Sequence, residues 1–292
     1  MMERWVGHAF VAFMRVLAYL PLPLLRALGW VLGWVLYALA VSRRRVVLIN
    51  LRLCFPTWSE RQRVQLARRS MVLFAQSWLD RAWLWHARPE VVKSRLRVVG
   101  HVQALLGDVP TIVFAPHFYG LDAGWTALTL HTTRHCNGIY AHQANAVIDR
   151  WIFQGRSRFG SPGHASRQDS TKALASALRQ GELLYILPDT NHGAAQVDFV
   201  PFYGVPAATS TSLPRFARMG RAQVVPMVTR LTPDGYEVQV LAPWDNYPSG
   251  DDLADTALMN QRLARWIDTM PEQYWWVAKR FKRRPAGEPE IY

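Results

Sequence analysis

Cysteine is nearly missing: Cys54 and Cys136 are the only two in 292 residues. Neither has metal-ligand spacing and no set of paired cysteines exists, so the chain has no disulfide framework and fits a reducing compartment. Acidic residues are scarce too, 21 against 34 Lys and Arg, which leaves a net charge of +13 and calls for anionic partners. No zinc-finger or RNP-like pattern accompanies that charge, so nucleic acid is not an expected partner. There is no G-x-S-x-G, and neither cysteine has an evident partner histidine, which argues against a covalent intermediate on Ser or Cys. The absence of a glycine-rich nucleotide loop and of H-E-x-x-H weakens kinase, dehydrogenase and zinc-hydrolase readings. No internal repeat, low-complexity tract or interdomain linker divides the chain.

What is abundant is tryptophan, with 13 residues, and apolar sequence at the N-terminus. Tryptophan favours places where an apolar body meets a wet, charged interface, so lipid is the better match for the positive charge. Trp5 to Leu20 is mostly apolar, Pro21 and Pro23 interrupt, and Leu24 to Val41 resumes with Arg26 as its one charge. The second stretch is close to the minimum for crossing a bilayer, and Arg43-Arg44-Arg45 follows at once. These features predict a membrane-anchoring segment over residues 1–45, with the basic cluster and the remaining chain, 46–292, on the cytoplasmic side. A pair of buried core helices is the alternative. A proline-broken interfacial pair and a single spanning helix fit the pattern equally.

Beyond residue 46 the pattern alternates. Ser59 is a candidate N-cap for a helix from Glu60 to about Trp85. Strands are expected at Leu96–Val99, Thr111–Ala115, 182–187, Gln223–Thr229 and Tyr236–Leu241, the last two joined by Thr232-Pro233-Asp234-Gly235. Helices are expected at Gly120–Leu130, Val147–Phe159, 170–180, Ser212–Met219 and Asp255–Met270. Residues 160–169 read as a loop running into a helix cap, and the turn-rich run from Phe199 to Thr209 as a loop that lines an acyl channel or covers a sheet edge. Strands alternating with helices predict an α/β sandwich, whose site lies at the carboxyl ends of the strands, where His117 and Asp189 fall.

His117 ends the run Thr111-Ile112-Val113-Phe114-Ala115-Pro116-His117, and Asp122 follows five residues later. Nine histidines and 21 acids give on the order of 0.6 such spacings by chance, and His164/Asp169 is a second instance. The strand in front of His117 distinguishes it. A neutral His117 can take the proton of a substrate hydroxyl as its oxygen attacks an acyl carbonyl, with Asp122 orienting the ring and backbone N–H groups of the following helix start receiving the oxyanion. Gly155-Arg156-Ser157-Arg158 offers two guanidinium groups to phosphate or an acidic carrier, or forms a solvated helix face. Asp189 is a site residue or a turn residue on local sequence alone.

Seven strings in a fixed order extend this reading. They are Asn50 to Pro56, Ala115-Pro116-His117 with Asp122, Gly155 to Arg158, Leu187-Pro188-Asp189, Phe199 to Gly204, Pro206 to Thr209, and Pro271 to Trp276 continuing through Arg280 to Pro285. With them the chain resembles the late acyltransferases of lipid A biosynthesis, the lauroyl/myristoyl transferases, within the group sharing the glycerolipid-acyltransferase His-x4-acid motif. The resemblance implies an αβα sandwich of that type. It also implies an inner-membrane enzyme that moves a fatty acyl chain from acyl carrier protein to a hydroxyl of a phosphorylated glycolipid, the lipid A precursor. It implies His117 and Asp122 as the catalytic pair, substrate-binding roles for Arg156, Arg158 and Asp189, and no cofactor besides the acyl-carrier co-substrate. Three positions depart from the family pattern: Asp122 stands for a usual Glu, Tyr140-Ala141-His142 for an aromatic-Arg-Pro string, and Ala278 for a His. They leave the acceptor open between lipid A and another membrane lipid; a non-catalytic lipid- or carrier-binding relative is the remaining alternative.

Overall fold

The computed structural model describes residues 2–166, 171–191 and 197–292. Three helices open the chain: α1 (Met2–Leu17), α2 (Leu22–Leu39) and α3 (Val41–Cys54). The long α4 (Glu60–His86) follows, started by a capping box in which Ser59 Oγ accepts from the Gln62 N–H while the Gln62 side chain accepts from the Ser59 N–H. The short α5 (Pro89–Ser94) leads into β1 (Leu96–Gly100). Then come β2 (Thr111–Phe114), α6 (Leu121–His131), β3 (His135–Tyr140), α7 (Ala146–Arg156), β4 (Ser161–Ser166), α8 (Thr171–Arg179) and β5 (Leu183–Ile186). The hairpin β6 (Asp198–Phe202) and β7 (Val205–Thr209) precedes α9 (Ser212–Gly220), β8 (Gln223–Thr232), β9 (Gly235–Val240) and α10 (Asp252–Thr269).

Among the described residues the main sheet has the order β1-β9-β8-β2-β5-β3-β4, parallel except for the β8/β9 hairpin. Alternate residues of each strand face opposite layers. In β2, Val113 packs with buried residues of α1, α2, α4, α6 and α7, whereas Ile112 and Phe114 pack with Leu174, Leu178, Leu213, Phe216 and Met259 of α8, α9 and α10. Both faces are therefore covered, and the fold is the expected αβα sandwich. Such two-sided burial is why β2 and β5 are continuous apolar runs rather than alternating ones.

Two segments differ from their sequence reading. Residues 161–166 form β4 rather than a loop; Pro162 is tolerated because β4 is the edge of the sheet and pairs with β3 alone. His164 lies in β4, but its side chain, and Asp169 altogether, lie outside the described residues. The run from Phe199 to Thr209 is an antiparallel ribbon, β6 and β7, turned by Tyr203 and Gly204. Both turn residues have positive φ, 51° and 76°, the primed-turn geometry that matches strand twist.

The apolar N-terminus is broken where Pro21 and Pro23 stand, and both helices pack on the rest of the chain. Helix α2 lies along α4 so closely that a Cβ on Gly33 would come within 2.4 Å of the Val72 Cα, and one on Gly29 within 2.6 Å of the Gln76 side chain. Arg26, the one charge in α2, turns inward to Asp80 of α4 at 3.0 Å, and Asp80 also accepts from Tyr236 at 2.6 Å and Trp83 at 3.0 Å. The outer faces stay apolar: Trp5, Phe13 and Val16 of α1 and Leu24, Trp30, Val31 and Trp34 of α2 are exposed. By length and composition α2 is able to cross a bilayer. Gly33→Ala is expected to force α2 off the α4 backbone at a cost of about 1–3 kcal/mol. Thermal unfolding in detergent checks this, and an unchanged midpoint would show that the two helices are not docked there.

Candidate active site

Strands β2 and β5 are parallel neighbours in register, Phe114 opposite Ile186. The next residue is still tied, with the Ala115 N–H donating to the Ile186 carbonyl at 3.0 Å. His117 and Asp189 each lie three residues beyond the paired ends, so the register brings them side by side at the carboxyl edge of the sheet. There His117 Nδ1 and Asp189 Oδ1 are 2.6 Å apart, and the other carboxylate oxygen accepts from the His117 backbone N–H at 3.0 Å and from the Tyr274 hydroxyl at 3.1 Å. Asp189 is fully buried. Burial pushes its pKa up, but the adjoining His117 ring, the bonds from His117 and the charge of Arg280 outweigh that and hold it below the ordinary value. A carboxylate at this position turns the ring so that an Nδ1–H faces Oδ1, which in the neutral imidazole makes Nε2 the basic nitrogen.

Asp122 does something else. It occupies the first turn of α6, and its Oδ2 receives Arg81 of α4 through Nε at 2.7 Å and Nη2 at 2.6 Å. Its Oδ1 receives Nε of Arg156, the last residue of α7, at 2.8 Å. Burial pushes the Asp122 pKa up; Arg156 and Arg81 pull it further the other way, to about 2. The expected bond from Asp122 to the imidazole is thus replaced by one from Asp189, because the helical turn carries residue 122 toward α4 and α7. Two guanidinium groups share one carboxylate, so this wall keeps one surplus positive charge, and Arg156 remains 32% exposed. Arg158 is not part of the wall. It donates to the carbonyls of Leu84, at 3.1 Å, and Ala87, closing the C-terminal end of α4.

The strap of residues 271–284 completes the site. Trp275 N–H donates to the His117 carbonyl at 2.9 Å, Tyr119 N–H to the Gln273 carbonyl at 2.9 Å, and the Trp275 ring lies 6.4 Å from the imidazole. Phe74 of α4 approaches Trp275 at 5.7 Å and Tyr119 at 5.7 Å, an aromatic wall beside the base. Buried Arg280 fixes the strap to β7 through the Ala208 carbonyl at 2.8 Å and Thr209 Oγ1 at 2.7 Å. Asn50 of α3 holds it from the other side, donating to the carbonyls of Trp276 at 2.7 Å and Ala278 at 2.8 Å. At Ala278 the contact is made by the backbone carbonyl.

The family model of the bacterial lipid A biosynthesis acyltransferases matches residues 1–283, nearly the whole chain and every element just described. The chain belongs to this acyltransferase family. Its similarity to individual members extends over nearly its whole length. It is 31% identical to the lipid A biosynthesis lauroyltransferase of Escherichia coli K12, over 99% of this chain and 95% of that protein. It is likewise 31% identical to the lipid A biosynthesis myristoyltransferase of the same strain, over 99% of this chain and 89% of the other. A lipid A biosynthesis acyltransferase of Haemophilus influenzae is 30% identical over 97% and 89%. Within this member of the family, His117, Asp122, Arg156 and Asp189 gather at one edge of the sheet, and Arg158 stands apart. Arg81, Tyr274 and Trp275 join them without having been marked as site residues. Tyr274 and Trp275 sit inside one of the seven family strings, a signal that was available; Arg81 is one arginine among several on α4 and carried none.

Proposed function

We propose that this chain transfers a fatty acyl group from acyl carrier protein to a hydroxyl of a lipid A precursor at the cytoplasmic face of the bacterial inner membrane. The observation that carries this reading is the buried His117–Asp189 pair at 2.6 Å. The acceptor hydroxyl gives its proton to His117 Nε2 while its oxygen attacks the thioester carbonyl carbon. Asp189 holds the Nδ1 proton and stabilises the imidazolium that forms. The tetrahedral oxyanion then collapses, the C–S bond breaks, and the imidazolium returns its proton to the departing thiolate. The transfer is direct, without a covalent acyl-enzyme, and the acyl-carrier co-substrate is the only cofactor-like component.

The oxyanion needs donors. Two N–H groups near the base are already used, Phe118 on the Pro116 carbonyl at 2.7 Å and Tyr119 on the Gln273 carbonyl at 2.9 Å. The first turn of α6, from Gly120 onward, presents N–H groups that have no intrahelical acceptor, and it takes that role. Arg156 and Arg81 add positive charge for the anionic reactants. Membrane residence is supported by the exposed Trp5, Phe13, Trp30 and Trp34, which give α1 and α2 apolar outer faces, and by Arg43, Arg44 and Arg45 at the start of α3.

The test uses purified enzyme in detergent with one defined acyl-carrier-protein thioester and two acceptors, a phosphorylated lipid A precursor and a lysophospholipid. The expected product, read by mass spectrometry, is one new ester on the lipid A precursor. Ester formation on the lysophospholipid alone would reassign the acceptor.

A further inference from the structure

A groove runs along α4, outside the catalytic cluster, and at one end is walled by α2. It consists of two adjoining hollows of about 520 Å³ each that share Gln65 and Arg68. One wall is apolar, built by Trp30 and Trp34 of α2 with Val72 and Leu73 of α4. The other side is cationic: Arg61, Arg68 and Arg69 are exposed along it, and among the described residues none of the three has an ion pair. Of the two acids lining it, Glu60 is already engaged by Arg52 at 2.6 Å and Arg63 at 3.4 Å, which leaves Glu272 against three guanidinium groups. Arg68 is positioned without any carboxylate, its guanidinium lying 5.5 Å from each of the Trp34 and Tyr37 rings. Stacked in this way it keeps its N–H donors for another anion.

Such a surface suits an amphiphile with a phosphate at one end and hydrocarbon at the other. The apolar wall continues into the exposed face of α2, at Leu28 and Val31, so the ligand enters from lipid rather than from water. That favours the membrane-borne acceptor over a carrier-borne donor arriving in solution. One end of the groove is linked to the base through aromatic contacts. It lies at Leu73 and Glu272; Phe74 follows Leu73, and its ring contacts Trp275, three residues after Glu272 and 6.4 Å from the His117 ring.

We infer that Arg68 and Arg69 form the phosphate subsite for the glycolipid acceptor, with Trp30 and Trp34 covering its hydrocarbon. The inference rests on the acceptor reading above. Its test compares one lipid A precursor with the same compound after phosphatase treatment. The wild-type enzyme is expected to favour the phosphorylated form by about tenfold or more in acceptor KM, the scale of charge-assisted hydrogen bonds. Arg68→Gln/Arg69→Gln is expected to erase that preference without altering KM for the acyl donor. Trp30→Ala, which leaves the Trp34 and Tyr37 rings under Arg68, is expected to raise KM for both acceptors alike. A double variant that keeps the wild-type preference overturns the groove assignment alone. A wild-type enzyme that acylates neither compound overturns the acceptor reading and this inference with it.

Discussion

Asp189→Asn is expected to lower turnover by about 10³–10⁴-fold while leaving the fold and membrane partition intact, the scale seen when a triad carboxylate is replaced by its amide. The geometry gives the reason. The asparagine oxygen can take the place of Oδ2, which accepts from the His117 N–H at 3.0 Å and the Tyr274 hydroxyl at 3.1 Å. Its NH2 then stands where Oδ1 was, 2.6 Å from Nδ1, and donates to the ring. All three contacts survive, yet the imidazole is forced into the tautomer with its proton on Nε2. That nitrogen can no longer take the proton of the acceptor. His117→Ala is expected to lose at least as much, and His117→Ala/Asp189→Asn no more than His117→Ala, because the two act as one unit. Single-turnover acyl transfer measures all three variants. Independent, multiplicative losses would show that Asp189 does not act through His117.

The two halves of this pair were legible separately. The apolar runs ending at Phe114 and Ile186 mark strands, and polar residues shortly after a buried strand fall at the carboxyl edge of the sheet. Their partnership was not legible. It depends on β2 and β5 being neighbours in a sheet whose order departs from chain order, across 72 positions of sequence. Local spacing supplied a nearer acid, Asp122, and a short sequence separation says little about which way a helical side chain turns. Its two arginines come from the middle of α4 and the end of α7, where nothing local distinguishes them from solvated surface charge. Residues 161–166 illustrate the opposite error. Gly160, Pro162 and Gly163 look like a loop because propensity does not know that an edge strand needs only one partner. The N-terminal segment was legible as apolar and broken by prolines, but the inward turn of Arg26 depends on Asp80 being buried opposite it.

Asp122→Asn is expected to separate the second acid from the first by its effect on stability. The substitution leaves Arg81 and Arg156 facing each other without a counter-charge, their side chains 11% and 32% exposed. Removing one partner from a buried ion pair costs about 3–5 kcal/mol; the exposure of Arg156 places this case near 3. Asp189→Asn, which keeps its contacts, lacks this penalty. The pH dependence gives an independent check. The Asp122 pKa is about 2 in the folded protein against an ordinary value of 3.8. A carboxylate depressed on folding adds stability that is complete above the unfolded value and is lost as pH falls through the folded one. Between pH 5 and pH 2 the wild type should therefore lose about 2 kcal/mol that Asp122→Asn has already lost. The thermal midpoints of the two proteins in detergent should converge across that window. Parallel curves would mean that the carboxylate at 122 is not held by its two arginines, and would reopen the assignment of the orienting acid.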